Sequence, residues 1–304
     1  MIAVVVLTKN SEKTIERCLR SLLESSYPPK ELIIVDGGSK DYTLVIVEKF
    51  SKLIKTKVVY DGGKGLGYAR DIGWRTASSQ MKYIAMVDSD VVLDKTFFED
   101  AISILEKDEK LGGLGAKLVP ETGEEGLLST FQVKNLAIHL HWAEKPYPNE
   151  VASTHTACTI FRRSALEEIR GFDSYFTLAK EDSDVSFRLR KAGYHLSYLQ
   201  HFLPHLETGT RFNKINFRYG RSYVLIARKH PIDGKLWTRR NIFFTIALII
   251  FPLELFVGAH YLLRYIQLKD LGVKDAIVMS FLETVRQILR TAGMLYELLL
   301  SPPK

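Results

Sequence analysis

Apolar residues in the first 120 positions fall into short runs at 3–7, 32–35, 57–60 and 83–87, and each run gives way to polar or glycine-rich residues. The closing segments are Thr8-Lys9-Asn10, Asp36-Gly37-Gly38-Ser39, Asp61-Gly62-Gly63 and Asp88-Ser89-Asp90. Short apolar runs alternating with amphipathic stretches predict βαβ units around a mostly parallel sheet. In an open α/β sheet, ligands bind beyond the carboxyl ends of the strands. The strand ends that open with an aspartate are therefore the first candidates for chemistry.

Between the strands, Ser11 is the expected N-cap of a helix with Ile15, Cys18, Leu19, Leu22 and Leu23 on one face, ended by Pro28-Pro29. Further helices are expected over about 42–53 and 68–78. Residues 120–153 mix apolar, glycine, proline and aromatic positions without a clear period, and strands with a substrate-facing loop are expected there. A strand follows at 158–161, then a short helix at 163–170 and a turn at Gly171-Phe172-Asp173. Glu181-Asp182-Ser183-Asp184 opens a helix, where acidic residues complement the macrodipole, and Gly193 closes it.

The 304 residues, 46% of them hydrophobic, suffice for one nucleotide-binding-sized domain with an appendage. The expected division is a main domain at 1–210 and a basic, hydrophobic helical region at 211–304. Cys18 and Cys158 match no disulfide framework or zinc spacing and are read as reduced and structural. The chain enters a core-like strand at Ile2 with no basic n-region before it, so the catalytic part is expected in the cytoplasm.

The formal charge of +7 is unevenly spread. Between His205 and Arg240, Arg211, Lys214, Arg218, Arg221, Arg228, Lys229, Lys235, Arg239 and Arg240 face only Glu207 and Asp233, an excess equal to that of the whole chain. An apolar run at 242–263, interrupted by Glu254 and His260, adjoins this collar.

The strongest local signal is Asp88-Ser89-Asp90 behind a buried-strand pattern. Two carboxylates at i and i+2 on a turning chain offer hard oxygen ligands for Mg²⁺ or Mn²⁺, or else simply cap the next turn. Asp36 either accepts from a ribose hydroxyl or base N–H, or closes its own loop as an Asx-turn. Gly63-Lys64-Gly65-Leu66-Gly67 has neither Walker nor Gly-x-Gly-x-x-Gly spacing. Arg70, just beyond it, is the better phosphate ligand, its alternative being a solvated helix charge. Glu181-Asp182 supplies a candidate general base. Asp184 and Arg188, at i and i+4, also suit simple charge pairing. His201 and His205 flank Phe202-Leu203-Pro204, and His205 matters only if a further metal ligand is wanted.

Taken in order, six segments resemble the inverting glycosyltransferases of family 2, which have the GT-A fold. They are Val6-Leu7-Thr8-Lys9-Asn10; Val35-Asp36-Gly37-Gly38-Ser39-Lys40-Asp41-Tyr42-Thr43; Gly67-Tyr68-Ala69-Arg70-Asp71-Ile72-Gly73; Val87-Asp88-Ser89-Asp90; Gly171-Phe172-Asp173; and Glu181-Asp182-Ser183-Asp184-Val185-Ser186-Phe187-Arg188. The resemblance covers about residues 1–210. It implies an α/β, Rossmann-like, mostly parallel sheet flanked by helices. It further implies a UDP- or GDP-sugar donor with Thr8, Asp36 and Asp61 at the nucleoside and Arg70 at the diphosphate. Asp88 would contact ribose or metal, Asp90 would be the principal ligand of Mn²⁺ or Mg²⁺, and His205 a further one. Asp182 would be the catalytic base, with Glu181 beside it. Asp71 departs from the family's usual asparagine and is expected to add negative charge near the donor. The Gln-x-x-Arg-Trp sequence of processive synthases is absent, with Phe217-Arg218-Tyr219-Gly220-Arg221 in a similar place, which favours transfer of a single sugar.

The 242–263 run is long enough to cross a bilayer, but Glu254 near its centre would cost roughly 2–3 kcal/mol. A span, a re-entrant hairpin and a buried core helix stay open. Residues 276–300 set Ile277, Phe281, Val285, Ile288, Ala292, Leu295 and Leu299 on one helical face, as in an interfacial or docking helix. With the collar, this predicts an enzyme at the cytoplasmic face of the membrane whose acceptor is a polyprenyl phosphate or lipid-linked glycan. The alternative is a homo-oligomer formed through the C-terminal helices. Two rivals are a catalytically silent nucleotide-sugar-binding relative and a basic nucleic-acid-binding protein. No nucleic-acid motif accompanies the basic stretch, and no nucleic acid is expected.

Overall fold

The computed structural model describes residues 1–122, 131, 147–207, 212–230, 262 and 273–299. Strand β1 (Ile2–Thr8), helix α1 (Ile15–Leu23), β2 (Glu31–Asp36), α2 (Thr43–Ser51), β3 (Thr56–Tyr60), α3 (Leu66–Thr76), β4 (Tyr83–Asp88) and α4 (Phe97–Lys107) alternate as the apolar runs predict. They lead into β5 (Leu111–Thr122), β6 (Cys158–Arg162), α5 (Arg163–Glu168), α6 (Glu181–Lys191) and β7 (His195–Glu207). The strands form one seven-stranded sheet in the order β3-β2-β1-β4-β6-β5-β7.

β1 pairs in parallel with both β2 and β4, so the chain reverses its direction of travel across the sheet at β1. That switch point opens a crevice beyond the strand ends. Its register sets Thr8 beside Asp36 and Leu7 beside Asp88. β6 alone runs against its neighbours, antiparallel to β4 and β5. Its beginning, rather than its end, therefore lies at the edge where β4 finishes, and Asp88 N donates to Ala157 O at 2.8 Å.

Strand periodicity divides the core. Ile2, Val4 and Val6 join Ile15, Cys18, Leu19 and Leu22 of α1 and Phe97 and Phe98 of α4 on one face. Ala3 and Val5 join Ala69 and Trp74 of α3 and Val185 and Leu189 of α6 on the other. The helix α1 departs from expectation at its start: it is capped by Thr14 without a side-chain bond. The Ser11 hydroxyl instead accepts from Ser89 Oγ at 2.9 Å, tying the first loop to the Asp88-Ser89-Asp90 turn.

Met1–Thr177 with Glu181–Thr208 make one compact unit, and Leu178–Lys180 with Gly209–Lys304 a second. In the second, α7 (Phe212–Lys229) packs on α8 (Val273–Leu299). Gly220 and Gly293 allow the approach, since a Cβ on Gly220 would lie 1.9 Å from Arg290 O and one on Gly293 2.1 Å from Phe217 O. Part of the basic collar is used internally: Arg221 meets Glu297 at 2.8 Å, Arg228 Nη2 donates to the Glu297 carbonyl, and Arg218 Nη2 donates to Leu178 O. Helix α8 turns Ile277, Phe281, Ile288, Leu295 and Leu299 to solvent while burying Glu283 and Glu297. Among the described residues no helix is long and apolar enough to cross a membrane. The run at 242–263, apart from Leu262, and most of the loop expected within 120–153 lie outside the described residues.

Candidate active site

Arg70 projects from α3, Asp88 ends β4, and Glu181 opens α6; the fold joins all three. Arg70 Nη2 donates to Asp88 Oδ1 at 2.9 Å and Nε to Glu181 Oε1 at 3.1 Å. Thr156 Oγ1 donates to the same Glu181 oxygen at 3.1 Å. Arg70 is 3% exposed and Glu181 4%, so the reading of Arg70 as a solvated helix charge is set aside. Burial alone would lower the Arg70 pKa, but Asp88 and Glu181 outweigh it and raise it. The Glu181 carboxyl is pushed up by its burial and by the Asp182 charge, against the pull of Arg70. Arg70 Nη1 is buried with no hydrogen-bond partner. A buried donor left unmade costs free energy, and a ligand oxygen would satisfy it.

Packing around α3 explains how Arg70 gets there. Gly67 N donates to Phe176 O at 2.9 Å, and a Cβ on Gly67 would sit 2.0 Å from Asp173 O. Asp71 anchors the same segment: it accepts from Trp74 Nε1 at 2.8 Å, Arg75 Nε at 2.7 Å and Phe172 N at 3.1 Å. Its carboxylate thus holds the Gly171-Phe172 turn, which is where the charge expected near the donor goes.

Asp182 stands next to Glu181 with its side chain 24% exposed. Its Oδ1 accepts from Ser183 N at 2.6 Å, and its Oδ2 lies 3.7 Å from His155 Nδ1. His155 was not singled out by the sequence, where it is one polar residue in a Ser-Thr-His-Thr stretch. Asp184 accepts from Arg188 Nε and Nη2 at 2.9 and 2.6 Å, so this pair is helix-stabilising as the spacing suggests.

At the ends of β1 and β2, Thr8 is 6% exposed and its Oγ1 is buried with no hydrogen-bond partner. Asp36 closes its own loop as an Asx-turn, accepting from Gly38 N and Ser39 N at 2.9 Å and from Ser39 Oγ at 2.5 Å. Asp61 does likewise, accepting from Gly63 N at 2.7 Å. These two aspartates shape the loops beside Thr8.

The metal candidates separate. Asp88 is turned toward Arg70, whereas Asp90 Oδ1 and His205 Nε2 face each other at 3.2 Å. Among the described residues no group of three or more His, Cys, Asp or Glu side chains gathers as a metal site. Asp90 Oδ1 is nevertheless buried without a hydrogen bond of good geometry. An imidazole nitrogen beside an unsatisfied carboxylate oxygen is a donor set that would suit a divalent cation. β7 fixes this pair: Leu206 N donates to Asp90 O at 2.7 Å and Val92 N to Pro204 O at 3.0 Å. His201 stands apart, between Asp94 at 3.0 Å and Asp100 at 3.1 Å.

Residues 3–170 match the family model described as Glycosyl transferase family 2. The chain is 27% identical over 192 residues to a poly-beta-1,6-N-acetyl-D-glucosamine synthase of Staphylococcus epidermidis, covering 62% of this chain and 45% of that protein. It spans less than half the length of the curated relatives it matches. The mannosyltransferase PcManGT of Pyrobaculum calidifontis, solved with GDP-Man and Mn²⁺, superposes with a TM-score of 0.62 at 17% identity over 98% of this chain and 87% of that one. Residues 1–349 of S. aureus TarS, solved with UDP-GlcNAc, superpose with a TM-score of 0.54 at 18% identity over 93% and 90%. These structural likenesses bear on the fold, which is GT-A-like.

Proposed function

The chain belongs to glycosyl transferase family 2, and from that premise we propose that it transfers a sugar from a UDP- or GDP-sugar to an acceptor hydroxyl or phosphate, with inversion. The observation that carries this reading is the convergence of Arg70, Asp88, Glu181 and Asp182 from three separate segments at one edge of the sheet. Arg70 is held by carboxylates on two sides and keeps Nη1 for a diphosphate oxygen. Thr8 Oγ1 is the corresponding unsatisfied group for the nucleoside, beside the loops that Asp36 and Asp61 close. Asp182 deprotonates the acceptor through Oδ2 while Ser183 holds Oδ1, and a single displacement inverts the anomeric centre. Asp90 and His205 would hold Mn²⁺ or Mg²⁺, which supplies charge neutralisation for the departing diphosphate.

Proteins of similar fold bind this donor class: TarS was solved with UDP-GlcNAc and PcManGT with GDP-Man and Mn²⁺. A thermal-shift series with UDP-GlcNAc and GDP-mannose, each with and without Mn²⁺, tests it. Metal-dependent stabilisation by one of them, with release of the nucleoside diphosphate when acceptor is added, is expected. No stabilisation by any nucleotide sugar would sink the reading.

Attachment to the cytoplasmic face of a membrane, with a polyprenyl-phosphate or lipid-linked acceptor, belongs to the same proposal. Its support is the outward apolar face of α8, where Ile277 is 54%, Phe281 67% and Leu299 76% exposed. Sedimentation with anionic vesicles of Phe281→Asp against the unaltered chain tests it, equal binding being the adverse result.

A further inference from the structure

The sheet divides the site on the reading that Asp182 is the base. Thr8, Asp36 and Asp61 belong to β1, β2 and the end of β3, on one side of β4, while β6, β5 and β7 lie on the other. There the face that carries Asp88 continues across paired residues: Met86 with Thr159, Thr159 with Gly115, and Gly115 with Tyr198. Tyr198 touches the base's surroundings, its hydroxyl accepting from His155 N at 3.2 Å, and the His155 imidazole lies 3.7 Å from Asp182. Glycine at 115 makes room for the Tyr198 ring, which a Cβ there would meet at 2.8 Å.

Lys117 is two residues past Gly115, on the same face and nearer the catalytic edge. It is 4% exposed, and among the described residues no carboxylate pairs with it. Its Nζ lies 5.3 Å from the centre of the Phe202 ring, its partner in register, and Phe202 is 48% exposed. Lysines this buried ordinarily have a counter-charge. Two strand spacings put Lys117 about 10 Å across the sheet from the line of β4, on the side away from the nucleoside loops.

We propose that this half of the edge is an acceptor subsite for a molecule carrying an acidic group, phosphate or carboxylate, near the hydroxyl that receives the sugar. Lys117 pairs with the acid, and the open face of Phe202 covers the carbons beside it. This rests on the transferase reading above.

The test uses the full chain labelled with ¹³C at lysine Cε, the Lys117 cross-peak being the one lost in Lys117→Arg. Inorganic phosphate, glycerol 1-phosphate and glucuronate are titrated in turn, with uncharged glycerol as the control. A saturable shift of that peak by the phosphates or by glucuronate, and none by glycerol, is expected, and the responding arm identifies the acid. Backbone amides of Tyr198 and Phe202 should respond with it, and should stop responding in Lys117→Met. A peak that no anion moves, or that glycerol moves equally, overturns the proposal. Stabilisation by UDP-GlcNAc and GDP-mannose is measured on the same samples. Donor binding without anion binding overturns this subsite alone; anion binding without donor binding overturns the acceptor assignment together with the reading beneath it.

Discussion

Arg70 and Glu181 are 111 residues apart in the chain and 3.1 Å apart in the structure, in a contact that is buried on both sides. Asp88 completes the trio from a third segment, so the guanidinium is aimed by two carboxylates with one nitrogen left over. Glu181→Ala leaves Arg70 its ion pair with Asp88 but strips the acceptor from its buried Nε, and is expected to destabilise the chain by about 1–3 kcal/mol. Glu181→Gln, which keeps an acceptor for Arg70 Nε, should lose less stability and chiefly weaken donor affinity. Urea midpoints and donor KM values of the two variants check this.

Asp182→Asn should leave donor-induced stabilisation intact and lower turnover by roughly 10²–10⁴-fold, the range of a lost general base. Turnover near that of the unaltered chain would remove Asp182 from the role.

Asp90→Asn and His205→Ala should each weaken the Mn²⁺ dependence of donor binding, by at least the roughly 10–100-fold in metal affinity that losing an outer-shell partner costs. Chelation of the unaltered chain with EDTA should give the same loss of donor-induced stabilisation. Thermal shifts at graded Mn²⁺ concentrations measure both.

Gly67→Ala places a methyl 2.0 Å from the Asp173 carbonyl, a backbone atom that cannot swing aside. The expected cost is about 1–3 kcal/mol, with loss of donor binding as α3 shifts and takes Arg70 with it. Gly63→Ala, where a Cβ would meet nothing within 4 Å but φ is +72°, tests backbone strain alone and should cost less.

Away from the site, Glu31 sets an acid limit on stability. Burial pushes its carboxyl up, but the Lys55 ammonium and the Ser78 hydroxyl and N–H outweigh this and bring it from the ordinary 4.5 to about 2. A depressed carboxyl stabilises above its unfolded value and loses that contribution as pH falls. The stability of the unaltered chain should thus decline between pH 4.5 and about 2. Subtracting a Glu31→Gln melting series from it isolates this limb.

The donor side of the fold was readable because its strands are continuous apolar runs with the chemistry at their ends. β1, β2, β3, β4 and β6 fall within a residue of expectation. β5 and β7 were hidden for physical reasons. β5 carries glycines at 113 and 115 because side chains there would strike Leu196 and Tyr198, and so it does not look like a strand. β7 holds Pro204 and shifts register opposite Ala116/Lys117, which breaks the alternation that would have revealed it. The pairing of Arg70 with Glu181 is long-range and leaves no periodic signal. Asp36 shows the converse: its position was legible, but only the loop geometry reveals that both its oxygens are engaged with Gly38 and Ser39.

The reversal of β6 has a consequence for how such a protein can be altered. β5 ends and β6 begins at the edge of the sheet where β4 finishes, so their connection leaves from and returns to the edge that carries Asp88. Everything from Ile2 to Asp88 is complete before that connection begins. On the proposed transferase reading, a connection of different length or sequence grafted between β5 and β6 would leave the strands that end in Thr8, Asp36 and Asp88 as they are, making the fold modular along a single seam.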